Sequence, residues 1–272
     1  MSTRTSDLTK RTIADFGEQW LRFDTHEGFY ASVELLRDIC EPLLPVSGIH
    51  GQRVAEIGSG TGRIVQMLLD AGATHVIALE PSAAFDVLTR NLQTAGDRVS
   101  YIRGRGEELP ANGDLDLVVS IGVLHHIPDP APVVRAAHRA LRPGGRILVW
   151  LYGREGNGMY LAVVKPLRWL TTRLRPWPKE VIARVLSAGF TAYMAASRVV
   201  PLPLRDYIEH VIGKFTPERR VQVIFDQLNP AYAKYYSGDE AIHLIQSAGF
   251  ENVRIHHRHG YSWTVIGTKP NF

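Results

Sequence analysis

The chain has 272 residues, 45% of them hydrophobic, and 31 basic against 27 acidic side chains give a formal charge of +4. A chain of this length buries a sizeable core unaided, and Cys40, its single cysteine, excludes an intramolecular disulfide and fits a reducing compartment. The basic excess is small and dispersed, which does not imply nucleic acid; no apolar run reaches the roughly 18 residues of a spanning helix, and the start, Met1 to Asp7, lacks the apolar core of a signal peptide. A soluble, cytoplasmic chain is expected.

Ile13 to Phe23 and Phe29 to Leu44 carry helical periodicity, and residues 1–48 are expected to form a helical lid ahead of a sheet. From Gln52 onward, short apolar runs alternate with helical ones, the pattern of a parallel sheet wrapped by helices. Arg53 to Ile57 reads as the first strand, followed by a helix from Thr61 to Leu69 that Gly72 ends. His75 to Glu80 is the second, and Ser82 is placed to cap a helix running to about Thr94. Val99 to Ile102 and Leu115 to Ser120 are the third and fourth, both β-branched and apolar. Asp129 and Pro130 mark the N-cap and first position of a helix that stops at Arg142-Pro143-Gly144-Gly145, after which Arg146 to Leu151 is the fifth strand.

The alternation then breaks. Residues 152–236 are rich in helical periodicity, aromatics and prolines, and are expected to form an inserted helical cap. Ser237-Gly238-Asp239-Glu240 is a capping box opening a helix that ends at Gly249, and Asn252 to His257 and Tyr261 to Thr268 make a hairpin about His259-Gly260. The expected fold is α/β, a Rossmann-like sheet of seven mostly parallel strands with a C-terminal antiparallel hairpin, N-terminal helices and the cap. Residues 49–151 and 237–272 make its ligand-binding core.

The chemistry starts at Glu56-Ile57-Gly58-Ser59-Gly60-Thr61-Gly62, where a strand runs straight into glycines. Such a loop lets the backbone approach a ligand closely, and the next helix points free N–H groups and its positive end at it. Arg63 stands where the dinucleotide fingerprint has its third glycine, which argues against NAD and FAD and so against a dehydrogenase. Glu80 closes the second strand beside that loop, where a carboxylate can accept both hydroxyls of a ribose.

Val54 to Gly62, Leu79-Glu80-Pro81, Glu107-Glu108-Leu109-Pro110, Leu115 to Ser120 and Leu141-Arg142-Pro143-Gly144-Gly145 resemble the successive motifs of class I S-adenosylmethionine-dependent methyltransferases of small-molecule type. The resemblance covers about Gln52 to Leu151 and implies S-adenosyl-L-methionine as cofactor. It implies that Gly58, Ser59 and Gly60, with Arg63 behind them, lie under the methionine and ribose, that Glu56 reaches the amino group through water, and that Glu80 holds the ribose hydroxyls. The family often has an acid at the position of Arg105, contacting the adenine amine. Here either Glu107 with the Gly106 backbone takes that edge, or the adenine contacts are apolar, from Pro81 and Ile121 beside Ser120.

Methyl transfer is an in-line displacement, so acceptor, methyl and sulfur must be held in a row and water kept out. A hydroxyl acceptor benefits from a base, and histidine suits neutral pH. Val123-Leu124-His125-His126-Ile127-Pro128-Asp129 is similar to the post-strand motif of small-molecule methyltransferases, including phosphoethanolamine methyltransferases, whose catalytic histidine falls at the His125 position. His125 is therefore the candidate base and His126 the second; the alternative is that both only pack at the strand end. Gln19 and Trp20 in the leading helix, and Asp226, Tyr232 and Tyr236 in the cap, are candidate acceptor contacts; otherwise they are core, turn or cap residues.

His256-His257-Arg258-His259 has no acidic or cysteine partner nearby in sequence, so solvated hairpin histidines are expected there and no metal. The arginines around Trp169 and Trp177 suit a solvated helix face or a membrane surface. O-methylation of a sugar or secondary metabolite is thus the expected activity. An RNA or protein methyltransferase is the alternative that the basic balance suggests, without the Asn/Asp-Pro-Pro-Tyr/Phe signature to support it. A non-catalytic binding or membrane-surface protein is the third reading.

Overall fold

The computed structural model describes residues 3–25, 27–197, 199–200 and 212–271. Seven strands, β1 (Arg53–Ile57), β2 (His75–Leu79), β3 (Val99–Ile102), β4 (Leu115–Ile121), β5 (Leu141–Tyr152), β6 (Glu251–Arg258) and β7 (Ser262–Thr268), form one sheet in the order β3-β2-β1-β4-β5-β7-β6. The first five are parallel, and β7 inserts antiparallel between β5 and β6. This is the expected Rossmann-like arrangement with its terminal hairpin.

The strands are apolar on both sides because helices cover both. On one face Val54, Leu117, Val119 and Leu148 pack with Ile64 and Leu68 of α3 (Arg63–Asp70) and Leu36 of α2 (Val33–Cys40). On the other, Ala55, Ile57, Val118 and Val149 meet Val133 and Ala137 of α5 (Ala131–Ala140) and Ile245 of a helix, Gly238–Gln246, that enters β6. The Ser237 and Glu240 capping box opens that helix as expected: Ser237 Oγ accepts from Glu240 N and Glu240 Oε2 accepts from Ser237 N. Strand order reverses between β1 and β4, so the loops after them part at the carboxyl edge and leave a crevice.

Several boundaries differ from the expectation. The leading helix, α1, spans Thr3–Arg22, well ahead of Ile13. Phe29 to Leu44 is not one helix: Gly28–Ala31 forms a 3-10 turn, Ser32 Oγ then accepts from Leu35 N to start α2, and Pro42 lies just past its end. Ser82 Oγ accepts from Ala84 N, closing a turn before α4 (Phe85–Asn91), which ends short of Thr94. Asp129 makes no N-cap bond to α5, whose N-cap is Pro130. Arg142-Pro143-Gly144-Gly145 lies inside β5, where the register jumps from Leu115↔Leu141 to Leu117↔Arg146. Gly144 N donates to Lys269 O (3.0 Å) and Lys269 N to Gly145 O (2.8 Å), so the C-terminal residues hold the bulge.

Between β5 and the capped helix the described residues hold α6 (Gly158–Thr171), α7 (Pro176–Ser197) and α8 (Pro217–Leu228), and the Ser237-capped helix is α9. Gln19 fastens α1 to α8: its Nε2 donates to Asp226 Oδ1 (2.9 Å) and its Oε1 accepts from Asn229 Nδ2 (3.1 Å). Among the described residues no helix is long and apolar enough to cross a membrane.

Candidate active site

The glycine loop is pinned to β2, since Gly58 and Ser59 N–H both donate to Leu79 O (2.9 and 2.8 Å). Gly58 has φ 81° and Gly60 φ 53°, a region that side chains disfavour. A Cβ on Gly58 would stand 2.5 Å from Val123 Cγ2, and one on Gly60 would stand 3.3 Å from the Trp20 indole nitrogen. The two glycines therefore let the post-β4 loop and α1 close over the crevice.

Glu80 is 5% exposed and ties the loops together: Oε2 accepts from Gly60 N (2.8 Å) and Oε1 from Ser82 N (2.9 Å). Each carboxylate oxygen has a second lone pair, so both can still accept from a pair of hydroxyls. Glu56, 1% exposed, has Oε2 with no partner. Burial pushes its carboxyl up to about 8, with Ser59 and Arg63 acting in the opposite direction. An orphaned buried carboxylate is a site for a cationic donor. Arg63 donates from Nη1 to Tyr30 O (3.0 Å) with its guanidinium 4.2 Å from the Tyr30 ring centroid.

These groups line a cavity of about 810 Å³, together with Trp20, Pro81, Arg105, Gly106, Glu107 and Ile121. Arg105 Nη1 sits 3.8 Å from Glu107 Oε1, so the acid that could reach an adenine is engaged with the arginine that replaces the usual one. A Cβ on Gly106 would lie 2.5 Å from Val133 Cγ1 and 2.7 Å from Ile57 Cγ2, which makes this glycine a packing requirement as well. Ser120 is fully buried, its Oγ unpartnered, and it does not line the cavity.

The histidines divide. His125 is fully buried, with neither ring nitrogen partnered, stacked 3.7 Å from the Tyr152 ring centroid, and it does not line the cavity. Burial, then the neighbouring His126, drive its pKa well down. His126 does line the cavity, and its Nδ1 lies 2.8 Å from Tyr232 O. A carbonyl can only accept, so Nδ1 carries the proton and Nε2 is the acceptor. Burial brings its pKa down to about 3.

Asp226, Tyr152, Gln227, Tyr160 and Tyr235 complete the wall from β5, α6, α8 and the segment after it. Asp226 accepts from Gln19 and, at 3.4 Å, from the Tyr152 hydroxyl; Gln227 Nε2 donates to Tyr152 Oη (2.6 Å) and Tyr160 Oη to Gln227 Oε1 (2.6 Å). Burial raises the Asp226 carboxyl, with Gln19 and Arg168 acting against it. Of the acceptor candidates, Trp20 and Asp226 line the cavity. Gln19 stands behind Asp226, Tyr232 contributes its carbonyl to His126, and Tyr236 is buried in a bridge with Gly153. Sequence reasoning missed Tyr152, the last residue of β5, because the fifth strand was expected to end at Leu151.

His257 and His259 of the hairpin are not simply solvated, as was expected, but partnered. His259 Nε2 is 2.8 Å from Asp38 Oδ1, Arg258 also bonds Asp38, and His257 stacks on Trp263.

The Methyltransferase domain family matches residues 55–149. The ubiquinone biosynthesis O-methyltransferase of Aromatoleum aromaticum is 34% identical over 121 residues, 43% of this chain and 51% of that one. The enzyme of the same name from Azorhizobium caulinodans is 30% identical over 188 residues, 65% of this chain and 73% of that one. The chain thus spans about half the length of the first curated relatives it matches, 51% to 52%, and more of the Azorhizobium protein. Two solved structures share the fold over nearly the whole chain. One is the Burkholderia thailandensis 1,6-didemethyltoxoflavin-N1-methyltransferase with bound S-adenosylhomocysteine (TM-score 0.56, 14% identity, 99% of this chain and 91% of that one). The other is the Synechocystis magnesium protoporphyrin IX methyltransferase with bound S-adenosylhomocysteine (0.54, 13%, 97% and 99%). With the Azorhizobium relative aligned over most of its length and the glycine loop, Glu56 and Glu80 set around one cavity, the chain belongs to the class I S-adenosylmethionine-dependent methyltransferases.

Proposed function

We propose that this chain methylates a hydroxyl of a small, largely apolar acceptor held beneath α6, α7 and α8. The observation that carries the reading is a single cavity whose wall includes Glu56, the Gly58–Gly60 loop and Glu80 as well as the polar group of Asp226, Tyr152 and Gln227. The residues fit the cofactor: the orphaned Glu56 oxygen suits its amino group, and the spare lone pairs of Glu80 suit the ribose hydroxyls. When bound, S-adenosylmethionine supplies an electrophilic methyl on a sulfonium.

The chain's own residues then have three tasks. Trp20 and Phe16 of α1 cover the crevice and exclude water. Tyr152 and Gln227 orient the acceptor hydroxyl by hydrogen bonding. Asp226 takes its proton, because a buried carboxyl with a raised pKa is a stronger base than an imidazole brought down to about 3. His126, fixed by Tyr232, lines the cavity, and His125 backs the Tyr152 ring. Calorimetry of S-adenosylhomocysteine with wild type and Glu80→Ala tests the cofactor part. Loss of two charge-assisted hydrogen bonds should weaken binding at least roughly tenfold, and equal binding by the two proteins would overturn it.

A membrane-surface contact is a second reading, which the face of α6 and α7 favours. Trp169 is 65% and Trp177 66% exposed, with Met159, Val163, Val181 and Val185 also exposed, and Lys165, Arg173, Arg175 and Arg184 interleave with them. Apolar anchors among cations suit an anionic bilayer. The full chain should float with phosphatidylglycerol vesicles and not with phosphatidylcholine vesicles, and the paired change Trp169→Ala and Trp177→Ala should abolish flotation. A chain that stays at the bottom of both gradients would remove this reading.

A further inference from the structure

The methyl-transfer reading leaves Arg220 unused. It sits on α8, lines the cavity and is 7% exposed. Its bonding partners among the described residues are neutral: Nη1 reaches Thr191 Oγ1 at 3.3 Å and Met194 Sδ at 3.7 Å, while Nε is buried without a partner. The other polar cavity groups of α8 are accounted for. Asp226 is held by Gln19 and Tyr152, and Gln227 by Tyr152 and Tyr160. A guanidinium stays protonated wherever it is placed, and a buried charge without a counter-ion is costly. Such a group in a ligand cavity wants an anion, and its fork of N–H groups matches a carboxylate best.

Helix geometry sets where that anion lies. Arg220 and Gln227 both face the cavity, seven residues apart, so they share a helix side and stand about 10 Å apart along α8, at 1.5 Å per residue. Val223 and Ile224 line the stretch between them. Arg220 therefore marks one end of a slot whose other end is the Tyr152, Asp226 and Gln227 group, with an apolar middle.

We propose that the acceptor is an amphipathic acid: its carboxylate docks on Arg220, an apolar body lies along Val223 and Ile224, and the hydroxyl to be methylated reaches Asp226 and Gln227 about 10 Å away. The inference rests on the methyl-transfer reading and names the substrate class for that site. An apolar alcohol of the same length, without the anion, leaves the guanidinium desolvated and unpaired, so the slot discriminates against it.

The test uses para-hydroxyphenylpentanoic acid, whose phenol and carboxylate span about that distance, and its methyl ester as the neutral control. Calorimetry is run on the full chain saturated with S-adenosylhomocysteine. The acid should bind roughly tenfold or more tighter than the ester, the worth of a charge-assisted hydrogen-bond pair. Arg220→Met, which keeps the apolar stem, should erase the difference while leaving S-adenosylhomocysteine affinity unchanged, and Arg220→Lys should restore part of it. Equal affinity for acid and ester in the wild type, binding of neither, or a preference that survives in Arg220→Met overturns the proposal, whereas failure to bind S-adenosylhomocysteine at all overturns the underlying reading instead.

Discussion

Asp226→Asn is expected to lower kcat by about 10²- to 10⁴-fold, the range associated with a general base, while S-adenosylhomocysteine binding persists. The substitution is conservative in shape. The carbonyl oxygen of the introduced amide would still accept from Gln19, and the Tyr152 hydroxyl, which now donates at 3.4 Å, can turn to accept from the amide nitrogen. What changes is the capacity to take a proton. The pH profile separates this from a packing effect: burial raises the Asp226 pKa above 3.8, so the carboxyl is protonated and inactive at low pH and gains basicity as pH rises through the raised value. In the wild type kcat/KM should climb through a limb that lies above the ordinary 3.8, measured as S-adenosylhomocysteine release with a hydroxylated aromatic acceptor. In the variant the limb should vanish and the residual rate be flat. A wild-type rate in Asp226→Asn, or a limb that survives in it, would assign the proton to another group.

The division between the part of the site that could be read in the sequence and the part that could not follows from contact range. The glycine loop, Glu56 and Glu80 lie within 25 residues of one another on two adjacent parallel strands, and the register Ile57↔Leu79 brings them together without help from the rest of the chain. The Ser237 capping box is local to four residues and is as expected. The acceptor wall is assembled across much longer separations, with Gln19 and Asp226 207 positions apart and Gln227 and Tyr152 75 apart. No periodicity announces such pairs. The β5 bulge was illegible for a related reason: Pro143-Gly144-Gly145 reads locally as a turn, and bonds to the distant Lys269 help keep it within the strand. The histidines illustrate the limit of a motif. The adjacent pair is visible in sequence, but which imidazole faces the cavity depends on Tyr232, more than 100 positions on, and on Tyr152 stacking over His125.

Glu56→Gln is expected to raise the stability of the ligand-free protein at pH 8 and, in the same molecule, to weaken cofactor binding. The folded carboxyl titrates near 8 and the ordinary value is 4.5, so between those values the native state keeps a proton that the unfolded chain has released. Stability from this group is therefore greatest below about 4.5, falls as pH rises toward 8 and is level beyond it. A shift of this size corresponds to several kcal/mol, roughly 1.4 per unit. The amide carries no charge to bury, so its thermal midpoint should stay level across the same interval and exceed the wild type by about 5 to 10 °C at pH 8. Binding shows the opposite sign. On the proposal that Glu56 holds the cationic amino group as an ionised carboxylate, wild-type affinity for S-adenosylhomocysteine should rise between pH 6 and 8 by about tenfold per unit at most, with proton release on binding. Glu56→Gln should bind more weakly and without that slope. The same buried carboxylate would then be a liability to the empty fold and the anchor of the loaded one, and calorimetry at two pH values distinguishes this from a passive core residue. Equal pH slopes of binding in both proteins, or a variant less stable than wild type at pH 8, would sink it.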